Sequence, residues 1–167
     1  MHGGPGSTLM PLARAFDGAL LEHFTVVHWD QRGAGKSYGP TIAGAQLTRE
    51  NIVDDGIDVV RAVRVHFPDA SIVLVGHSWG TIVATEMARR ARSEIAGLVL
   101  VGTVADVAAS DRMKLVFLRA NVRDDAGRAL LDSVAPPPFL TYESALAVSQ
   151  LAMKHGGPQR FHEGWIV

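Results

Sequence analysis

Apolar residues recur along this chain at two spacings, and the alternation between them predicts its elements. Over residues 8–21, Leu9, Leu12, Phe16 and Leu20 fall on one face of a helix. The run Phe24-Thr-Val-Val-His-Trp-Asp30 predicts a strand over 24–30. A helix is expected over 49–66, with Thr48 at its N-cap, Glu50 in its first turn, and Val53, Ile57, Val60 and Phe67 as its core stripe. A strand over 71–77, a helix over 79–91 and a strand over 97–103 follow. Strands alternating with helices in this way imply an α/β architecture, a parallel sheet with helices on both faces. After about residue 105 the strand signal stops. Helical stretches near 107–121, 124–133 and 142–154 remain, separated by Pro136-Pro137-Pro138 and Gly156-Gly157. The expected organisation is a core over 1–105 and a helical segment over 106–167.

The chemistry concentrates at one junction. The apolar run Ser71-Ile-Val-Leu-Val75 stops at Gly76-His77-Ser78-Trp79-Gly80, and helix-forming sequence begins at once. That is the layout of a nucleophile elbow, where a serine sits on a sharp strand-to-helix turn with its hydroxyl exposed. Such a turn strains the serine backbone, and the positions two before and two after it must be small. Gly76 and Gly80 meet that need. Acyl transfer through serine also requires a base for the hydroxyl proton and donors for the developing oxyanion.

Two further segments matter. His2-Gly3-Gly4-Pro5-Gly6 opens the chain, and Asp30-Gln31-Arg32-Gly33-Ala34-Gly35-Lys36-Ser37 follows the predicted strand at 24–30. Together with the elbow, in this order, they resemble the α/β-hydrolase superfamily and its proline iminopeptidase-like branch. The resemblance covers Met1 to about Gly102. It implies a partial α/β-hydrolase fold, a parallel sheet flanked by helices, with 106–167 as the start of a helical cap. It implies Ser78 as nucleophile, with the backbone N–H groups of Trp79 and Gly4 as oxyanion donors. Glycine lets the backbone approach the substrate carbonyl, whereas Pro5 has no N–H and stiffens the loop. His2, Gly3, Pro5 and Gly6 then support that loop. Asp30 and Arg32 are expected to tie the next loop down through charge-assisted hydrogen bonds.

Rival motifs fall away. Gly35-Lys36-Ser37 ends like a phosphate-binding loop, but that pattern needs glycine at position 30, where Asp30 would repel phosphate. His155-Gly156-Gly157-Pro158 repeats the opening motif after a helical stretch, and reads as a helix stop. A formal net charge of −1 with no long basic run gives no reason to expect nucleic acid or an anionic membrane as partner. No apolar run reaches membrane-spanning length. Without cysteine, disulfides and thiolate metal sites are excluded, and a cytoplasmic location fits. The seven histidines contain no His-Glu-x-x-His pair, which argues against a metalloprotease. No metal and no cofactor are expected. The expected partner is a small-molecule or short-peptide substrate.

A full triad in the resembled superfamily runs serine, then acid, then histidine. Only His155 and His162 follow Ser78, and Asp106 follows the strand at 97–103. These are the internal candidates for base and acid, each with a plainer reading as helix cap or surface charge. The resemblance therefore implies the middle of a longer hydrolase, with early strands and the acid- and histidine-bearing part outside the chain. Three functions stay in view: a serine hydrolase of esters, amides or N-terminal peptide bonds; an inactive fragment; and a small-molecule-binding relative. For a peptidase of this branch, Glu143 and Glu163 are available acidic cap residues.

Overall fold

The computed structural model describes residues 1–42, 44–137, 139 and 141–156. The side chains of Arg14, Phe16, Ala45 and Tyr142, together with His162 and Glu163, lie outside the described residues. The chain divides into two compact units, Met1–Ala105 and a second beginning at Asp106.

In the first unit, helices α1 (Met10–Phe16) and α2 (Gly18–Leu21) occupy the region predicted as one helix. Asp17 stands at the break, where its carboxylate lies 2.5 Å from His28 Nε2, and Gly18 adds poor helix propensity. Leu12 and Leu20, expected on a core face, are half exposed; Ala13 is the buried residue here. Residues 24–30, predicted as a strand, form no ladder with the sheet, and Phe24 and Val27 stand in solvent. Strand structure depends on a paired neighbour, which an apolar run alone does not supply.

Helix α3 (Arg49–His66) starts where expected. Thr48 Oγ1 accepts the Asn51 N–H at 3.1 Å, Glu50 faces the positive end of the helix, and Arg64 and His66 face the negative end. Val53, Ile57 and Val60 are buried, but Phe67, the last member of the expected stripe, is 44% exposed at the C-cap. There the backbone leaves the helix and the 3.6-residue spacing no longer aims the side chain inward.

Strands β1 (Val73–His77) and β2 (Gly97–Val101) pair in parallel, with Val73 opposite Gly97 and His77 opposite Val101. Helix α4 (Trp79–Arg90) supplies the crossover, as a parallel pair demands. It lies against both strands, and α3 packs on it. Val83, Ala84 and Met87 from α4 meet Ile52, Val53, Ile57 and Val60 from α3 and Leu74 from β1 in one buried cluster. Val73 and Val75, alternating with Leu74 and Gly76, are half exposed on the other side of the sheet. The free edge of β1 is taken by Met1, whose nitrogen donates to the Val75 carbonyl and whose carbonyl accepts the His77 N–H.

The second unit packs α5 (Val107–Asn121), α6 (Asp125–Ser133) and α7 (Tyr142–Lys154) in mutual contact. Asp106, Asp124 and Thr141 each accept a first-turn N–H of the helix that follows. Leu115, Leu118, Val122, Leu131, Val148 and Leu151 make its core. α7 stops at His155, after which Gly156 turns to a φ of 75° and donates to the Met153 carbonyl. Gly157 and Pro158 lie outside the described residues.

Candidate active site

Ser78 joins the end of β1 to the start of α4 with φ 51° and ψ −120°. It is the only non-glycine residue at positive φ among those described, in a region that costs an L-residue on the order of 1–3 kcal/mol. Surrounding bonds hold it there. Its N–H donates to the Val101 carbonyl at the end of β2 (2.9 Å), and its carbonyl accepts from the Thr81 N–H and the Thr81 hydroxyl. The Val104 N–H donates to that same hydroxyl, so the chain leaving β2 is tied to the elbow as well.

The glycines around it explain the tightness of the bend. A Cβ on Gly76 would stand 2.5 Å from the Gly80 carbonyl oxygen and 3.0 Å from Ala84 Cβ, so strand and helix meet there. A Cβ on Gly80 would meet a different neighbour, the Met1 carbonyl oxygen at 2.5 Å and that of His2 at 2.7 Å. The opening loop therefore packs on the first turn of α4. It also reaches the serine itself, since a Cβ on Gly3 would lie 3.2 Å from Ser78 Cβ. Gly4 has φ 127°, Gly6 has φ 88°, and the Gly4–Pro5 peptide is cis. Trp79, as the first residue of α4, has no acceptor for its N–H within the helix. Among the described residues, neither that amide, the Gly4 amide nor the Ser78 hydroxyl has a hydrogen-bond partner.

A buried relay lies behind the loop. Gln31 is 1% exposed and His2 3%. The Gln31 backbone N–H donates to His2 Nε2 (3.0 Å), its side-chain Nε2 donates to the His2 carbonyl (3.0 Å), and its Oε1 accepts the Trp79 indole N–H (3.1 Å). Both assignments follow from the partners. An indole N–H and a backbone N–H only donate, so Oε1 must face Trp79 and His2 Nε2 must be unprotonated. The proton of the His2 ring is then on Nδ1, 2.8 Å from the Gly3 carbonyl. The sequence alone gave Gln31 no role; its one signal was a polar residue between Asp30 and Arg32.

Asp30 and Arg32 anchor the surrounding loop. Asp30 accepts from the Thr8 hydroxyl and, at 2.9 Å, from the Lys36 N–H; these bonds hold its carboxyl below the ordinary range. Gly35, with φ 50°, leaves room for that carboxylate, because a Cβ would lie 2.3 Å from Asp30 Oδ2. Arg32 makes a two-pronged pair with Asp55 of α3 at 2.8 and 2.6 Å.

The other candidates sit in the helical unit, where His155 Nε2 is buried without a hydrogen-bond partner among the described residues. Asp106 Oδ1 caps α5 by accepting the Ala109 N–H at 2.9 Å. His155 Nε2 lies 3.5 Å from Asp124 Oδ2, and Asp124 in turn caps α6. Glu143 is exposed in the first turn of α7.

Comparison with known proteins gives a consistent result. A family model described as alpha/beta hydrolase fold matches residues 1–156. The chain is 42% identical over 84 residues to a probable aminopeptidase, YbaC, of Bacillus subtilis, covering 50% of this chain and 26% of that protein. It is 32% identical over 102 residues to a proline iminopeptidase of Arabidopsis thaliana, covering 61% and 25%. A proline iminopeptidase of Saccharolobus solfataricus is 30% identical over 111 residues, covering 64% and 33%. The chain spans between a quarter and a third of the length of these relatives.

Proposed function

The chain belongs to the α/β-hydrolase fold family, and from that premise we propose that it is the nucleophile-bearing part of a serine hydrolase acting on an ester, amide or N-terminal peptide bond. Ser78 Oγ attacks the carbonyl carbon and gives its proton to a base. The carbonyl oxygen, now negative, is held by the N–H groups of Trp79 and Gly4, and the positive end of α4 adds to that field. Collapse expels the alcohol or amine and leaves an acyl-serine that water hydrolyses.

One observation carries this reading: a strained serine between β1 and α4, with the backbone of a glycine loop packed directly against it. Strain of this kind persists where surrounding bonds over-determine it, and functional sites are where it collects. The aminopeptidase relatives support a substrate with a free amino terminus. Treatment of the full-length protein with a fluorophosphonate and mapping of the adduct tests the assignment. A single adduct on Ser78 is expected; an adduct elsewhere, or none, overturns it.

A second reading is favoured by the Ser78 hydroxyl having no partner among the described residues, with Asp106 spent as the cap of α5. On that reading this chain binds substrate without turning it over. Hydrolysis of a p-nitrophenyl ester by the chain, abolished by Ser78→Ala, would refute it.

A further inference from the structure

We propose that Gln31 is a positioning residue that sets the distance between the two oxyanion donors. The inference rests on Ser78 being the nucleophile. The two amides come from segments far apart in sequence, the opening loop and the first turn of α4. One fully buried side chain holds both. Its Nε2 fixes the His2 carbonyl, two residues before Gly4, and its Oε1 fixes the indole of Trp79, whose own N–H is the second donor. The Gln31 backbone adds a third hold by donating to the His2 ring, which its Nδ1 side ties back to Gly3. Each bond is cheap alone, but a buried amide with a missing partner is costly, so the three loops settle where every group is satisfied. Glutamine suits the task because it donates and accepts from one planar group, matching a carbonyl on one side and an indole on the other. Oxyanion donors act only within hydrogen-bond reach of where the negative oxygen forms, so a loop shifted by a fraction of an ångström weakens transition-state binding more than ground-state binding.

The test measures phosphonylation of Ser78 by a fluorophosphonate in the full-length protein, separating the maximal rate from the reagent's half-saturating concentration. Gln31→Met keeps the length of the side chain and removes both hydrogen bonds. We expect its maximal rate to fall about tenfold, less than the loss of an entire donor, with half-saturation unchanged. Trp79→Phe, which breaks only the indole arm, is expected to lose less, and the double variant to be no slower than Gln31→Met, since both break one shared link. Gln31→Glu supplies a pH signature. Its protonated carboxyl can donate to His2 and accept from Trp79, so its rate relative to wild type should rise as pH falls. A folded Gln31→Met with wild-type maximal rate, or with a change confined to half-saturation, overturns the proposal. Should Gln31→Met not fold, an unchanged maximal rate in Trp79→Phe overturns it instead. If wild type is not labelled at Ser78, the hydrolase reading fails by itself, and hydrogen exchange then judges the relay. Exchange of the His77 amide, which donates to the Met1 carbonyl and so reports how firmly the opening loop is docked, more than about tenfold faster in Gln31→Met supports it, and unchanged exchange overturns it.

Discussion

A carboxylate that bonds two loops at once couples its ionisation to their positions. Asp30 takes a hydrogen bond from Thr8, just after the opening glycine loop, and another from the backbone of Lys36; both favour its charged form. Its folded pKa therefore lies below the ordinary 3.8. A group depressed in this way contributes stability above its unfolded pKa, and that contribution is lost as pH falls through the lower folded value. Urea denaturation of the wild type and Asp30→Asn should differ most near neutral pH. The gap should narrow below about pH 4 and close once Asp30 is protonated in the folded chain. Parallel curves at every pH would remove Asp30 from the account. The same carboxylate explains Gly35, where any side chain would strike it.

Among the elements, those built from local signals are legible in the sequence itself. α3 has its cap at Thr48 and its stripe at Val53, Ile57 and Val60. α5, α6 and α7 follow the helical stretches set off by the prolines at 136–138 and the glycines at 156–157. What was not legible depends on distant partners. The helix predicted over 8–21 breaks at Asp17, whose carboxylate is engaged by His28, eleven positions away. The segment 24–30 has strand composition but pairs with neither β1 nor β2; the edges of β1 are taken by β2 and Met1. Gln31 receives its meaning from residues 29 and 48 positions off. At the α3–α4 contact, Gly56 makes a close approach possible: a Cβ there would stand 2.5 Å from Met87 Sδ and 3.0 Å from Trp29 Cζ3. Alanine gains about 1 kcal/mol of helix propensity over glycine, while overpacking costs about 1–3 kcal/mol. With Met87 only 2% exposed and Trp29 closing the other side, the clash should win, so Gly56→Ala is expected to lower the urea midpoint. A raised midpoint would show that Met87 can move aside.

At the scale of the whole molecule, each unit carries its own buried cluster, one around Val53, Val83 and Met87, the other around Leu118 and Val148. Among the described residues no helix is long and apolar enough to cross a membrane. Val53 and Leu118 are both fully buried. Truncating Leu118 to alanine should cost about 2–5 kcal/mol, and Val53→Ala somewhat less. Each loss is read by urea denaturation of the single variant, and a loss below about 1 kcal/mol for Leu118→Ala would show that its cluster closes over the cavity. The relay through Gln31 has a consequence for anyone recombining such chains. Any crossover placed between positions 2 and 79 draws the histidine, the glutamine and the tryptophan from different parents. Chimeras that inherit all three from a single ancestor should survive such shuffling more often than those that divide the set.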